Sequence, residues 1–162
     1  MYKIIDNVLP SNEFREIQNM MMSNQFSWNL NLSVTDSTET IPNTASYYFT
    51  HRFWDKFYTT PEAMMFANLL NSLGVKAISR IKGNCYPSTE KLIHHKNHID
   101  FEFPHRSAIL YVNSNDGLTI LEDKIEIESV ENRLLVFDAS RIHRSTTCTN
   151  APCRINVNFN FF

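Results

Sequence analysis

At 162 residues, with 43% apolar residues and a formal net charge of −2, the chain is long enough for one domain with a sizeable core and too short for two ordinary ones. The near-neutral balance excludes a general basic field for nucleic acid, and no apolar run is long enough for a membrane-spanning helix. Met1-Tyr2-Lys3-Ile4-Ile5-Asp6 lacks the charged-then-apolar layout of a secretory leader, and the three cysteines (Cys85, Cys148, Cys153) contain no C-x-x-C pair. Reduced thiols in a cytoplasm are the expectation, with Cys85 in the core. In chain order, residues 2–8 read as a short strand. Leu9-Pro10-Ser11 signals a helix start, with Ser11 as the expected N-cap and Glu13 near the positive end. Phe14, Ile17 and Met21 then fall on one apolar stripe. Residues 26–34 alternate in part and read as a strand, and residues 35–44 as a polar loop. Thr60-Pro61-Glu62 opens a second helix with proline at its first position, and Gly74 ends it. Phe66, Leu69, Leu70 and Leu73 make its buried face. From Val75 onward the chain is nearly all strands and turns. Residues 106–113, 117–121, 124–128 and 133–138 read as strands, and Arg154 opens a last one.

The chemistry is concentrated in a few of these positions. A strand alternates its faces with period two, so if residues 92–100 are a strand, His98 and Asp100 project together. His143, from a later strand, would complete two imidazoles and one carboxylate on one face of a metal. That facial set, with open positions, suits non-haem Fe(II). Arg154 is the natural clamp for an anionic co-substrate, because a guanidinium fork matches a carboxylate in a bidentate way.

At these residues the chain resembles the 2-oxoglutarate- and Fe(II)-dependent oxygenases, and most of all the small prolyl-4-hydroxylase-like branch found in bacteria and their phages. The resemblance covers roughly residues 78–162 well and the N-terminal half loosely. It rests on His98-x-Asp100, the distal His143 and Arg154 on the last strand. Tyr111-Val112-Asn113 is similar to the family's Tyr-Leu-Asn strand, whose tyrosine bonds 2-oxoglutarate. Tyr86-Pro87 matches the Tyr-Pro pair that precedes the metal motif. The Gly-Gly-x-Thr turn is half matched, by Asp116-Gly117-Leu118-Thr119, which puts that turn's conformation in question. The resemblance implies His98, Asp100 and His143 as iron ligands. It also implies Arg154, Tyr111, Tyr86 and Asn156 around 2-oxoglutarate, with O2 as the other co-substrate. The implied activity is hydroxylation of a C–H bond with release of succinate and carbon dioxide, in the cytoplasm of a bacterium or a phage-infected cell.

A run of strands after two helices suggests a mainly β fold, a double-stranded β-helix or jelly roll of the cupin-like kind, backed by N-terminal helices. One domain over residues 1–162 is expected, with about 1–77 as helical support and lid and about 78–162 as the jelly-roll core. On the last strand Arg154, Asn156, Asn158 and Asn160 share one face, and Ile155, Val157, Phe159 and Phe161 the other. Arg154 in the cavity then places the asparagines inside and the apolar row under the helices. His94 has the parity of His98; His95 and His105 are expected to be structural or exposed. Residues 47–58 hold Tyr47, Tyr48, Phe49, Phe53, Trp54, Phe57 and Tyr58, either core filling or, with 35–46, a lid. Arg80, Lys82, Arg106, Arg141 and Arg144 would give the site a positive mouth.

A peptide, protein or amino-acid substrate, with proline first by resemblance, is preferred to nucleic acid. A nucleobase-modifying oxygenase of the same fold carries Arg-x-Asn-x-Thr-x-Arg on its last strand, and here the final arginine is replaced by Asn160. A non-catalytic jelly-roll binding module is the remaining alternative. The sequence sets no oligomeric state.

Overall fold

A computed structural model describes residues 1–32 and 47–162. Strands form β1 (Tyr2–Ile5), β2 (Asn29–Asn31), β3 (Tyr48–Asp55), β4 (Tyr58–Thr59), β5 (Ile78–Pro87), β6 (Arg106–Tyr111), β7 (Asn115–Leu121), β8 (Ile125–Ser129), β9 (Leu134–Asp138), β10 (His143–Ser145) and β11 (Cys153–Phe161). Helix α1 spans Ser11–Met21, and a 3-10 segment over Pro61–Phe66 leads into α2 (Ala67–Ser72). The large sheet runs β1-β9-β6-β11-β5-β3-β2, with β4 added to β3; the small sheet runs β10-β7-β8. All pairings are antiparallel. Two sheets facing each other, with helices on the outer side of the larger, make the expected jelly roll. The N-terminal half contributes strands as well as helices, since β1 and β3 join opposite ends of the large sheet.

Alternation along the strands divides the interior. Ile155, Val157, Phe159 and Phe161 of β11 point outward with Ala108, Leu110, Leu134 and Val136, and meet Phe14, Ile17 and Met21 of α1, Phe66 of the 3-10 segment and Leu69 of α2. The opposite face of the same strands lies between the sheets. At the β6–β9 end it is apolar, where Ile109, Tyr111, Leu135 and Phe137 pack on Leu121 and Ile127. At the β5–β11 end it is polar. There Arg154, Asn156, Asn158 and Asn160 oppose Tyr86, Asn84, Lys82 and Arg80 in direct register.

Local expectations shift in three places. Ser11 is the first helical residue, Pro10 holds the cap position, and no side chain caps α1. The second helix begins as 3-10 before becoming α, and Gly74 ends it at φ 65°, where a side chain would be strained. Residues 92–100 are not a regular strand. They follow an extended, irregular course tied down by two isolated bridges, His94 to Thr146 and His98 to His143. The polar loop expected over 35–44 lies outside the described residues. The aromatic segment divides: Tyr48 and Phe53 are buried, whereas Tyr47, Trp54, Phe57 and Tyr58 are exposed.

Phe159 is fully buried, with its ring edge-on to Phe66 at 5.1 Å. Phe159→Ala should therefore cost about 3–5 kcal/mol in urea denaturation. A loss below about 1 kcal/mol would mean that the sheet and helices do not share this core.

Candidate metal centre and anion clamp

The bridge between His98 and His143 brings two chain segments together by a pair of backbone hydrogen bonds, each 2.9 Å. Their imidazoles consequently face each other with ring centres 4.5 Å apart. Each ring places Nδ1 against a carbonyl two residues upstream, His98 at 3.3 Å from Lys96 O and His143 at 3.0 Å from Arg141 O. A carbonyl can only accept, so Nδ1 carries the hydrogen and the Nε2 lone pair is left for a metal. Asp100 closes the group, and the ligand atoms of His98, Asp100 and His143 all lie within 4.8 Å of one another. His143 Nε2 is 3.9 Å from Asp100 Oδ2. Among the described residues no other cluster of this kind occurs. The parity argument thus reaches the right residues, although a bridge rather than a regular strand aligns them.

Asp100 is held on both oxygens. Oδ1 accepts from Arg80 Nη2 at 2.9 Å; Oδ2 accepts from Asn158 Nδ2 at 3.1 Å and Asn160 Nδ2 at 2.8 Å. Burial pushes the carboxyl pKa up, but Arg80, His143 and the two amides outweigh it and hold it well below the usual carboxylate range. Burial, reinforced by neighbouring His143, pushes the His98 pKa down, which favours the neutral form a metal requires.

Arg154 lies deeper, fully buried. Its Nε donates to Ser129 Oγ at 2.8 Å, its Nη2 to Thr119 Oγ1 at 2.8 Å, and its Nη1 reaches Thr146 O at 3.5 Å. The Tyr86 and Tyr111 rings flank the guanidinium at 5.5 and 5.8 Å. Among the described residues no carboxylate lies within 4 Å of it. A buried, unpaired guanidinium is costly, and neutral hydroxyls offset only part of that cost. The site is therefore built for an anion. Tyr111 donates to Thr119 Oγ1 at 2.8 Å, so one threonine hydroxyl joins the tyrosine to the clamp.

The half-matched turn has a steric explanation. A Cβ on Gly117 would sit 2.4 Å from Arg154 Cδ and 2.7 Å from Thr147 O. The arginine stem crosses directly over this glycine. Asp116, in place of another glycine, accepts from the Thr149 and Asn150 amides and closes the turn from the side.

The cavity between the metal group and the clamp has about 320 Å³ of free space, mouth included, and is lined by Asn84, Tyr86, Thr119, Ser145, Asn156 and Asn158 among others. Asn156 lies on the expected face, lines the same cavity as Arg154 and accepts from Asn84 Nδ2 at 3.0 Å. Buried Asn84 Oδ1 has no protein partner. Two imidazoles, a carboxylate, an unpaired guanidinium and an orphaned amide oxygen fit a divalent metal with an anionic chelator. Of the expected positive mouth, Arg144 lines the cavity and Arg80 pairs with Asp100, but Arg141 binds Glu122 and Arg106 lies over Phe161. His94 pairs with Thr146 and is not part of the metal group.

Sequence reasoning assigned no role to Ser129 and Ser145, and named Thr119 only within a turn and Arg80 only as part of a positive mouth. The Gly-x-Thr match pointed to Thr119; serine hydroxyls and one arginine among many carried no such signal. His95 and His105 are both buried. His105 Nε2 lies 3.2 Å from Asn160 Nδ2, and His95 Nδ1 lies 2.7 Å from Ser145 Oγ with its ring against Tyr86.

No protein-family model and no curated protein sequence matches the chain. Solved structures do. A prolyl hydroxylase of Trichoplax adhaerens, in complex with a hypoxia-inducible-factor oxygen degradation domain peptide, superposes with a TM-score of 0.71 at 15% identity, covering 99% of this chain and 83% of that one. A 2OG-Fe(II) oxygenase family oxidoreductase of Burkholderia pseudomallei gives 0.70 at 11% identity, covering 99% and 84%. A prolyl-4-hydroxylase of Pseudomonas putida gives 0.65 at 15%, covering 99% and 91%. The chain has the fold of the 2-oxoglutarate- and Fe(II)-dependent oxygenases. At these identities the likeness establishes architecture; the chemistry rests on the residues described above.

Gly117→Ala should displace the Arg154 stem and cost about 1–3 kcal/mol, read as a lowered denaturation midpoint. An unchanged midpoint would contradict the close crossing. A second outcome follows from His95, whose pKa burial and the Arg154 charge push down to about 3. The unfolded chain takes up this proton below about pH 6.5, whereas the folded protein resists it until about 3. Stability should be fully present above 6.5 and fall as the pH drops toward 3. His95→Phe should flatten that fall in denaturation midpoints compared at pH 7.5 and 5; an equal fall in both proteins would refute it.

Proposed function

We propose that this protein is a non-haem Fe(II)- and 2-oxoglutarate-dependent dioxygenase that hydroxylates a C–H bond of a peptide, protein or amino-acid substrate, prolyl residues first. One observation carries this reading. The His98, Asp100 and His143 ligand atoms converge on the wall of a cavity whose floor holds a fully buried arginine with no carboxylate partner among the described residues. His98, Asp100 and His143 would hold the iron. Arg154 would take the far carboxylate of 2-oxoglutarate, with Thr119 and Tyr111 fixing the guanidinium and Tyr86 forming the adjoining wall. When bound, iron with 2-oxoglutarate and O2 supplies the oxidising power, and succinate and carbon dioxide leave. The protein orients these groups and keeps water from the guanidinium. The substrate preference is supported by two of the structural neighbours being prolyl hydroxylases, one of them in complex with a peptide.

Protein loaded anaerobically with Fe(II) should release succinate from 2-oxoglutarate on exposure to O2, and faster with its substrate. Proline-containing peptides, free amino acids and oligonucleotides form the screen. Stimulation by oligonucleotides alone would move the substrate to nucleic acid, and absence of any succinate would leave a binding module. Asp100→Ala should abolish turnover and metal retention. Arg154→Ala should weaken 2-oxoglutarate binding on the order of 3–5 kcal/mol, because a buried charged pair is broken. Equal affinity in the two proteins would place the clamp elsewhere.

A further inference from the structure

The metal reading of the site is the premise here. The single carboxylate of the ligand group is also the partner of a guanidinium. Arg80 Nη2 donates to Asp100 Oδ1 at 2.9 Å and Arg80 Nε donates to Asn160 Oδ1 at 3.2 Å. The Arg80 guanidinium carbon also lies 4.9 Å from the centre of the Phe101 ring. Direct register between Arg80 and Asn160 across β5 and β11 puts both side chains on the cavity face. Arg80 is thus a fixed part of the site, with only 21% of its side chain exposed.

The two Asp100 oxygens have different neighbours. Oδ1 belongs to Arg80. Oδ2 is the one that comes within 3.9 Å of His143 Nε2; it accepts from Asn160, which Arg80 also contacts, and from Asn158, whose own Oδ1 is held by Ser107. Asp100 is therefore presented as a one-oxygen ligand. The charges are equally unusual. The imidazoles are neutral as ligands, Arg80 cancels Asp100, and Arg154 adds a positive charge with no carboxylate in contact among the described residues. Among Asp100, Arg80 and Arg154 the fixed charge is one positive before a divalent cation enters and three positive afterwards, and Lys82, opposite Asn158 on the same face, is a further positive group near His98. In a buried, weakly screened site such an excess opposes the cation. A ligand carrying two carboxylates would bring the total back to one positive.

We propose that Arg80 is a positioning and charge-balancing residue that makes retention of the divalent metal depend on a dianionic co-substrate. Without the dianion the site holds metal loosely; with it, tightly. Linkage requires the metal to tighten the dianion by the same factor. The direction of the Arg80 effect follows from the two amides on Oδ2. Asn158, held by Ser107, and Asn160, which also contacts His105 and Ser107, keep Asp100 in place when Arg80 is lost, so removing the positive charge decides the outcome.

Calorimetric titration of Mn(II), with and without saturating 2-oxoglutarate, tests this at one pH and ionic strength. Wild type should bind Mn(II) about tenfold or more tightly when 2-oxoglutarate is present. Arg80→Met, which keeps the stem against Phe101, should bind Mn(II) alone about tenfold more tightly than wild type. Its gain on adding 2-oxoglutarate should be correspondingly smaller. Arg80→Gln should behave like Arg80→Met and serves if the methionine variant does not fold. Arg80→Lys, which keeps the charge, should retain the wild-type gain. Charge-removing variants with Mn(II) affinity equal to or weaker than wild type, and an unchanged gain, would overturn the role of Arg80 while leaving the metal site standing. Absence of Mn(II) binding in wild type, or undiminished binding by Asp100→Ala, would overturn the metal site and this inference with it.

Discussion

The antiparallel pairing of β5 with β11 is the constraint on which the rest depends. Nine register pairs join the two strands, from Cys153 with Pro87 to Phe161 with Ile78. Because side chains alternate, this one register assigns Phe159, Val157 and Ile155 to the helices and sends Asn160, Asn158, Asn156 and Arg154 between the sheets. A slip of one residue would place the arginine under α1 and phenylalanines in the cavity. The aliphatic and aromatic row thus stabilises the fold and, through the same register, positions the polar row that carries the chemistry.

Burying charge is what this arrangement has to accommodate. Asp100 is offset by a guanidinium and two amides, so the apo site tolerates it. Arg154 is treated differently. Ser129 and Thr119 orient it, and both come from the small sheet, so the clamp is gripped across the gap between the two layers. Hydroxyls satisfy its hydrogens without neutralising its charge. The small sheet adds Leu121 and Ile127, with Ile125 at their edge, to the core between the sheets, and these hydrogen bonds add to its anchorage.

Much of this was legible in the residues. Alternation on the last strand separated cavity from core because both rows are unambiguous: three asparagines and an arginine against four large apolar side chains. Helix α1 followed from Phe14, Ile17 and Met21. The metal group was legible through residue type and order, but its mechanism of assembly was not. A bridge between His98 and His143 is a long-range event, and local periodicity carries no trace of it. Arg80 was illegible for a related reason. Its partner is 20 residues away on a different segment, and only the register with Asn160 shows which of several arginines meets Asp100. Of the two alternatives open for His95, structural or exposed, the buried hydrogen bond to Ser145 is the structural one; parity could not choose between them because the segment is irregular there.

The irregular course of residues 92–100 has a consequence for how the molecule opens. His143 and Arg154 stand on paired strands, whereas His98 and Asp100 hang from a segment fastened by isolated bridges. Such a segment is among the first to detach in local unfolding, well below the free energy of the whole fold. A cation shared by His98, Asp100 and His143 would be a cross-link between that segment and β10, stabilising the closed form by mass action. The same ion that serves as reagent would then serve as a fastener, and amide protons from His94 to Asp100 would exchange with solvent at a rate set by metal occupancy.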